Sequence, residues 1–319
     1  MEKLFMSLIK KKISRKQFMK LCLAGMGTVL FSGIFPKMAR GENARIGKKI
    51  VTDHDLVVAK GEDPYLMTVK AVEAIGGMER FVKRGDKVVI KPNMAWDRSP
   101  EYAGNTNPMV VAALTELSFK AGAKRVNVFE RSCNESKLCY ENSGIAAAAR
   151  DKGANVYFID EWNYIKAHFS YKSPMEAWPI YRDALECDTF INVPILKDHA
   201  LTGLTLSMKN LMGVCGGDRA VMHNNIGVKL VDLTDFIKPD LTVIDAYRVL
   251  IRNGPRGGNL KDVEDYKTLI VGTDPTLADT YAAELVGRDP LSVNYIKEAK
   301  NRGFGKFDTS KADILKLET

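Results

Sequence analysis

Lys87-Val88-Val89-Ile90 and Arg125-Val126-Asn127-Val128-Phe129-Glu130 are two short β-rich runs, and between them Asn107-Pro108 leads into Val110, Val111, Leu114 and Leu117, closed by Gly122. The middle stretch has helical spacing, with apolar residues at i, i+1, i+4 and i+7. A strand, a helix and a strand within about forty residues is the signature of a parallel βαβ unit. Working outward, the pattern repeats. Val51 to Lys60 holds a short apolar run, followed by a helix after Asp63-Pro64 with Leu66, Val69, Val72 and Ile75 on one face. Beyond Glu130 come a helix over about Glu141 to Lys152 and strands over Ala154–Asp160, Thr189–Pro194, Leu241–Asp245 and Thr268–Val271. Asp274-Pro275 and Asp289-Pro290 open C-terminal helices. Each Asx-Pro pair marks a helix start, because the Asx side chain caps free amides and proline suits the first turn. The fold predicted is α/β: a doubly wound, mostly parallel sheet with helices on both faces, in a single large domain over residues 42–319.

The formal charge of +8 resembles that of a nucleic-acid-binding protein until it is partitioned. Met1 to Arg40 hold nine of the 47 basic residues and one of the 39 acidic ones, which leaves 38 of each in the rest of the chain. The body therefore has no bulk attraction for a polyanion, and nucleic acid is excluded as a partner. Residues 1–41 read as an export signal, cleaved near Ala39-Arg40-Gly41. A basic segment from Lys10 to Lys20 precedes the uncharged run Leu21–Phe35, too short to span a bilayer. Ser14-Arg15-Lys16-Gln17-Phe18-Met19-Lys20 resembles the twin-arginine motif, with Lys16 where a second arginine is usual. The expected partner is thus twin-arginine or other export machinery, and the expected location is periplasmic or extracytoplasmic. The alternatives are a leader retained as an anchor or an amphipathic helix lying on a membrane.

Twin-arginine export carries folded proteins, often with a cofactor already loaded. Cys133, Cys139, Cys187 and Cys215 in the body include no C-x-x-C pair, so no ferredoxin-type iron–sulfur motif or zinc ribbon is written here. Cys133 and Cys139 are spaced to close a short disulfide loop; four free thiols is the competing expectation.

In doubly wound sheets, function sits beyond the carboxyl ends of the strands. That rule selects Lys91 and Asn93, and the Gly104–Pro108 segment at a helix N-terminus suited to an anion. It also selects the loop after Pro194, with Lys197, Asp198 and His199. A helix is expected next, placing Thr202, Thr205 and Lys209 on one face, with Asn210 adjacent and Leu204, Met208 and Leu211 toward the core. Lys91, Asn93, Thr202, Lys209 and Asn210 are candidate ligand-binding residues, joined by Gly254 and Arg256 of the turn Asn253–Gly258. Lys197, His199, His223 and Asp245 are candidate catalytic residues. If the turn at Gly216-Gly217 folds back, His199, His223 and Asp245 also form a candidate divalent-metal set. Cys215 is a weaker candidate ligand.

Lys91-Pro92-Asn93, Asn192-x-Pro194-x-x-Lys197-x-His199, Met208-Lys209-Asn210-Leu211-Met212-Gly213, His223, Lys238-Pro239-Asp240-Leu241 through Asp245-Ala246, and Gly254-Pro255 occur in order. Together they resemble the bacterial and archaeal domain-of-unknown-function family 362, over about Leu56 to Leu285. Many members of that family are described as iron–sulfur proteins because ferredoxin-type cysteines accompany the domain. This chain lacks them. The resemblance supplies no reaction.

The function expected is an exported protein with a strand-end site for a small anionic ligand or a metal, its enzyme status open, with an enzyme using His/Lys acid–base or metal chemistry as the first reading. Two alternatives stand beside it. One is a non-catalytic ligand, metal or cluster-binding accessory protein serving a redox partner protein outside the cytoplasm. The other is an interaction protein using the aromatic stretch from Trp162 to Tyr181.

Overall fold

The computed structural model describes residues 45–170 and 173–319; the leader expected over residues 1–41, and Tyr171 of the aromatic stretch, lie outside them. The strands are β1 (Leu56–Lys60), β2 (Lys87–Pro92), β3 (Arg125–Val128), β4 (Asn155–Val156), β5 (Tyr164–His168) and β6 (Ala177–Tyr181). They continue with β7 (Thr189–Val193), β8 (Ile195–His199), β9 (Gly203–Thr205), β10 (Leu241–Leu250), β11 (Val263–Gly272) and β12 (Ile314–Glu318). The helices are α1 (Pro64–Ala74), α2 (Pro108–Lys120), α3 (Ser136–Asn142), α4 (Ile145–Asp151), α5 (Arg182–Glu186), α6 (Ser207–Asn210), α7 (Arg219–His223), α8 (Ile226–Ile237), α9 (Pro275–Leu285) and α10 (Asn294–Asn301).

The main sheet runs β12-β1-β11-β10-β7-β2-β3-β4. All neighbours along it are parallel except β11, which is antiparallel to both β1 and β10. The fold is therefore α/β with a mixed, mostly parallel sheet, and the described residues belong to one unit. Strand alternation explains why the run Val88-Val89-Ile90 of β2 is apolar throughout. Val88 and Ile90 enter a core with α1, α2 and α4, while Val89 enters a second core with α8, α9 and α10 on the opposite face. Both faces are covered, so neither set of side chains is polar.

All four Asx-Pro caps form, Asp63, Asn107, Asp274 and Asp289 each accepting backbone amide bonds from the turn that follows, but Asp289 opens only a three-residue 3-10 turn, Pro290–Ser292, and α10 begins later at Asn294. Several boundaries differ. The first helix is rotated, burying Met67, Ala71, Val72 and Ile75 and leaving Leu66 exposed. The helix expected over Glu141–Lys152 is divided between α3 and α4 by Gly144, whose φ of 72° is left-handed. The strand expected over Ala154–Asp160 shortens to β4. Conversely, β10 continues past Asp245 because β11 folds back along it, pairing Val249 with Glu264 and Leu250 with Val263.

The largest departure follows Pro194. The chain does not become a loop there. It resumes as β8, which pairs with β10, and turns into β9, where Lys197 faces Thr205 and His199 faces Gly203. No helix begins at Thr202. Much of the aromatic stretch forms the β5–β6 hairpin, with Phe169, Trp178 and Tyr181 in the core and the Trp178 indole donating to the Gly216 carbonyl. Among the described residues of that stretch, the exposed large aromatic is Trp162.

Candidate functional site

β2 sits at the reversal of strand order, with β7 on one side and β3 on the other. Such a point opens a crevice beyond the carboxyl ends of the strands. A cavity of about 360 Å³ occupies it, lined by Asn93 after β2, by Glu130, Arg131 and Cys133 after β3, and by Lys197 and His199 on β8. Thr205, Lys209, Asn210, Arg219 and His223 complete its polar wall, and Trp96, Leu201, Met212 and Pro255 are among its apolar residues.

Beneath the cavity lies a fully paired polar layer. The Lys91 ammonium donates to Glu130 at 2.5 Å, to Asn210 Oδ1 at 3.1 Å and to the Pro92 carbonyl at 2.8 Å, with both partners of the ion pair buried. Asn210 Oδ1 also accepts from Asn93, and its amide donates to the Lys91 carbonyl and to Asn192 Oδ1. Gly213 is required by this layer, because a Cβ there would stand 1.8 Å from Glu130 Oε1 and 2.4 Å from Lys91 Nζ. Lys91 thus serves the floor and does not reach into the cavity.

The lysines above that layer are different. Lys197 is 1% exposed, and its Nζ donates to Asn93 Oδ1 at 3.1 Å and to the Gly104 carbonyl. Lys209 donates to the Met212 sulfur at 3.1 Å. Neither forms an ion pair with a carboxylate among the described residues. Burial, reinforced by neighbouring cations, pushes Lys197 down to about 7 and Lys209 down to about 8. His199 is pushed down to about 3, by burial first and then by Lys209, Lys197 and His223. Its Nδ1 accepts the Leu201 amide at 3.2 Å, whereas His223 Nδ1 contacts the Arg219 carbonyl at 2.5 Å. The Thr205 hydroxyl is buried in the same wall without a hydrogen-bond partner.

Six of the residues expected from the sequence therefore meet in one place: Asn93, Lys197, His199, Lys209, Asn210 and His223. Others do not. Thr202 is buried but donates to the Leu204 carbonyl, outside the cavity wall. Gly254 is packed against β8, where a Cβ would stand 1.9 Å from the Asp198 carbonyl oxygen, and its amide donates to Asp198. The Arg256 side chain is exposed and lines no part of the cavity.

Asp245 corrects the metal expectation. Its carboxylate accepts the Asn107 amide at 2.7 Å and the Tyr247 amide at 2.9 Å, so both oxygens are engaged outside the cavity. Burial raises its pKa to about 6. The anion expected at the α2 N-terminus is this side chain of the protein itself. Among the described residues no three His, Cys, Asp or Glu side chains are grouped to hold a metal ion. All four body cysteines are free. Cys139 and Cys215 are buried, and Cys215 belongs to the core.

Arg131, Trp96 and Arg219 carry no expectation from the sequence, and Cys133 carries one only as a disulfide candidate. Arg131 was within reach, since it stands three residues past the end of β3. Arg219 carried no signal, because its place depends on how α7 folds back.

A thylakoid-associated protein of Synechocystis is 29% identical over 230 residues, covering 70% of each chain. Among solved structures, a Thermotoga maritima protein superposes with a TM-score of 0.36 at 15% identity, covering 70% of this chain and 58% of that one. The lactate racemase apoprotein of Thermoanaerobacterium thermosaccharolyticum gives 0.41 at 10% identity, covering 77% and 61%. The present chain thus spans less than two thirds of either solved chain. No described helix is long and apolar enough to cross a membrane. The family described as "Domain of unknown function (DUF362)" matches residues 88–284, well over half of the sequence, and the chain belongs to that family.

Proposed function

We propose that this protein binds a small anionic ligand in the Lys197–Lys209 cavity and performs proton transfer on it. The observation that carries the reading is a contrast in how buried cations are paired. Arg45 is matched by Asp240 and Lys91 by Glu130. Lys197 and Lys209 face a cavity with no carboxylate of their own. An isolated buried ammonium is costly, so the site favours a ligand that brings the missing negative charge.

The two histidines supply the acid–base step. An amide N–H only donates, so His199 Nδ1 is bare and its proton sits on Nε2. A carbonyl only accepts, so His223 Nδ1 carries the proton and Nε2 is left with a lone pair. His199 is then a neutral hydrogen-bond donor toward the ligand and His223 a proton acceptor. The lysines hold the charge, and Asn93, fixed by Asn210, orients Lys197.

Export belongs to the same proposal. It rests on the concentration of the whole net charge in the first forty residues, and the thylakoid association of the Synechocystis relative is compatible with work at or beyond a membrane.

Calorimetric titration of the full chain with inorganic phosphate and with acetate at low ionic strength tests the reading. Binding is expected for wild type and a loss of at least about tenfold for Lys197→Met or Lys209→Met. Failure of both anions to bind, together with failure of a panel of larger organic anions, overturns it.

A further inference from the structure

The unpaired charge does not end with the two lysines. Arg131 and Arg219 line the same cavity, are half-buried, and form no ion pair among the described residues. The Arg131 Nη1 donates to the Cys215 carbonyl, while Arg219 reaches the Arg131 carbonyl and the Cys133 sulfur, so neither guanidinium is neutralised by a protein anion. The single carboxylate in the wall, Glu130, is already held by Lys91. Four cations thus surround about 360 Å³ with no net counter-charge. They are graded by depth. Lys197 and the unpartnered Thr205 hydroxyl are almost fully buried, whereas the two arginines keep partial contact with water.

One monoanion would leave most of this charge uncompensated. A ligand with two separated acidic groups would satisfy both the lysine pair, of which Lys197 is buried and Lys209 half-buried, and the half-buried arginine pair. We infer that the ligand is a small organic dianion, one acidic group held by Lys197, Lys209 and Thr205 and the other by Arg131 and Arg219. The inference rests on the anion-binding reading above and narrows it. The planar guanidinium fork suits a carboxylate or phosphate at the outer position, with hydrogen bonds in pairs. The apolar side chains between, Trp96, Met212 and Leu201, suit a short carbon chain linking the two groups.

The test is calorimetric titration of the full chain, at constant ionic strength and pH 7, with matched probes: propionate against succinate, butyrate against glutarate, and inorganic phosphate alone. The dicarboxylates are expected to bind at least about tenfold more tightly than their monoacid partners. Arg131→Gln and Arg219→Gln are expected to shrink that advantage to about threefold or less, because the diacids lose more affinity than the monoacids. Melting temperatures check that both variants remain folded. Equal affinity for mono- and diacids, or phosphate alone binding as tightly as the best diacid, overturns the two-group ligand but leaves the anion site standing. If no probe binds, the anion reading itself is lost.

Discussion

His199 and His223 line one cavity with their Nδ1 atoms in opposite roles, one accepting from the Leu201 amide and the other donating to the Arg219 carbonyl. The backbone sets this contrast, so it holds without a ligand. Long-range nitrogen–proton NMR spectra of the labelled protein are expected to show the Nε2–H tautomer for His199 and the Nδ1–H tautomer for His223. His199 is further expected to stay neutral on acidification down to about pH 3, where burial beside Lys209 and Lys197 places its pKa. A histidine signal set titrating together near 6.5 would contradict the assignment.

Anion affinity has a defined pH dependence. With folded values near 7 and 8, Lys197 and Lys209 lose their protons above that range in the empty cavity, and an anion binds best to their charged forms. Binding above about pH 8 then takes up as many as two protons, and affinity is expected to fall by up to about a hundredfold per pH unit. Titration in buffers of different ionisation enthalpy reads the proton directly. Affinity independent of pH from 6 to 9.5 would rule the linkage out.

The same shift acts on stability. Between the folded value of about 7 for Lys197 and the unfolded value near 10.5, the unfolded chain binds more protons. The Lys197 contribution to stability therefore rises with pH through that window. Urea midpoints of wild type minus Lys197→Met are expected to increase from pH 7 to 9.5, with the variant more stable at the lower end. A constant difference would show that Lys197 is not depressed.

Gly213→Ala is expected to destabilise the fold by about 3 kcal/mol or more, because its Cβ occupies the place of the Lys91–Glu130 pair and would part a buried ion pair. Chemical denaturation measures it. A change below about 0.5 kcal/mol would mean the floor is softer than its hydrogen bonds imply.

Asp245→Ala separates a structural role from a ligating one. Removing the carboxylate leaves the Asn107 and Tyr247 amides without buried acceptors, which costs about 2 kcal/mol or more. Anion affinity, measured by the same calorimetry, is expected to stay within about twofold. Loss of binding in a folded variant would return Asp245 to the site.

Much of the core architecture was legible because it depends on local chemistry. β2 announced itself as a continuous apolar run, β3 as a short β-rich one, and the four Asx-Pro pairs as caps. The candidate site was legible in part for a related reason: Asn93, Lys197 and His199 follow strands whose carboxyl ends share one edge of the sheet. Thr202 and Arg256 were misplaced because their orientation depends on turns. A helical spacing drawn through Thr202, Thr205 and Lys209 fails once β8 and β9 form a hairpin that directs Thr205 into the cavity and leaves Thr202 outside it.

The sequence by itself determined the alternation of strands and helices and the partition of charge, since both are properties of neighbouring residues along the chain. Only the tertiary structure decided which charges are paired. Asp245 was drawn by a helix N-terminus 138 residues earlier, Glu130 by Lys91, and Arg131 and Arg219 came to the same cavity from separate elements. Counter-charge is a matter of distance in space and of water excluded, and neither can be read from position in the chain.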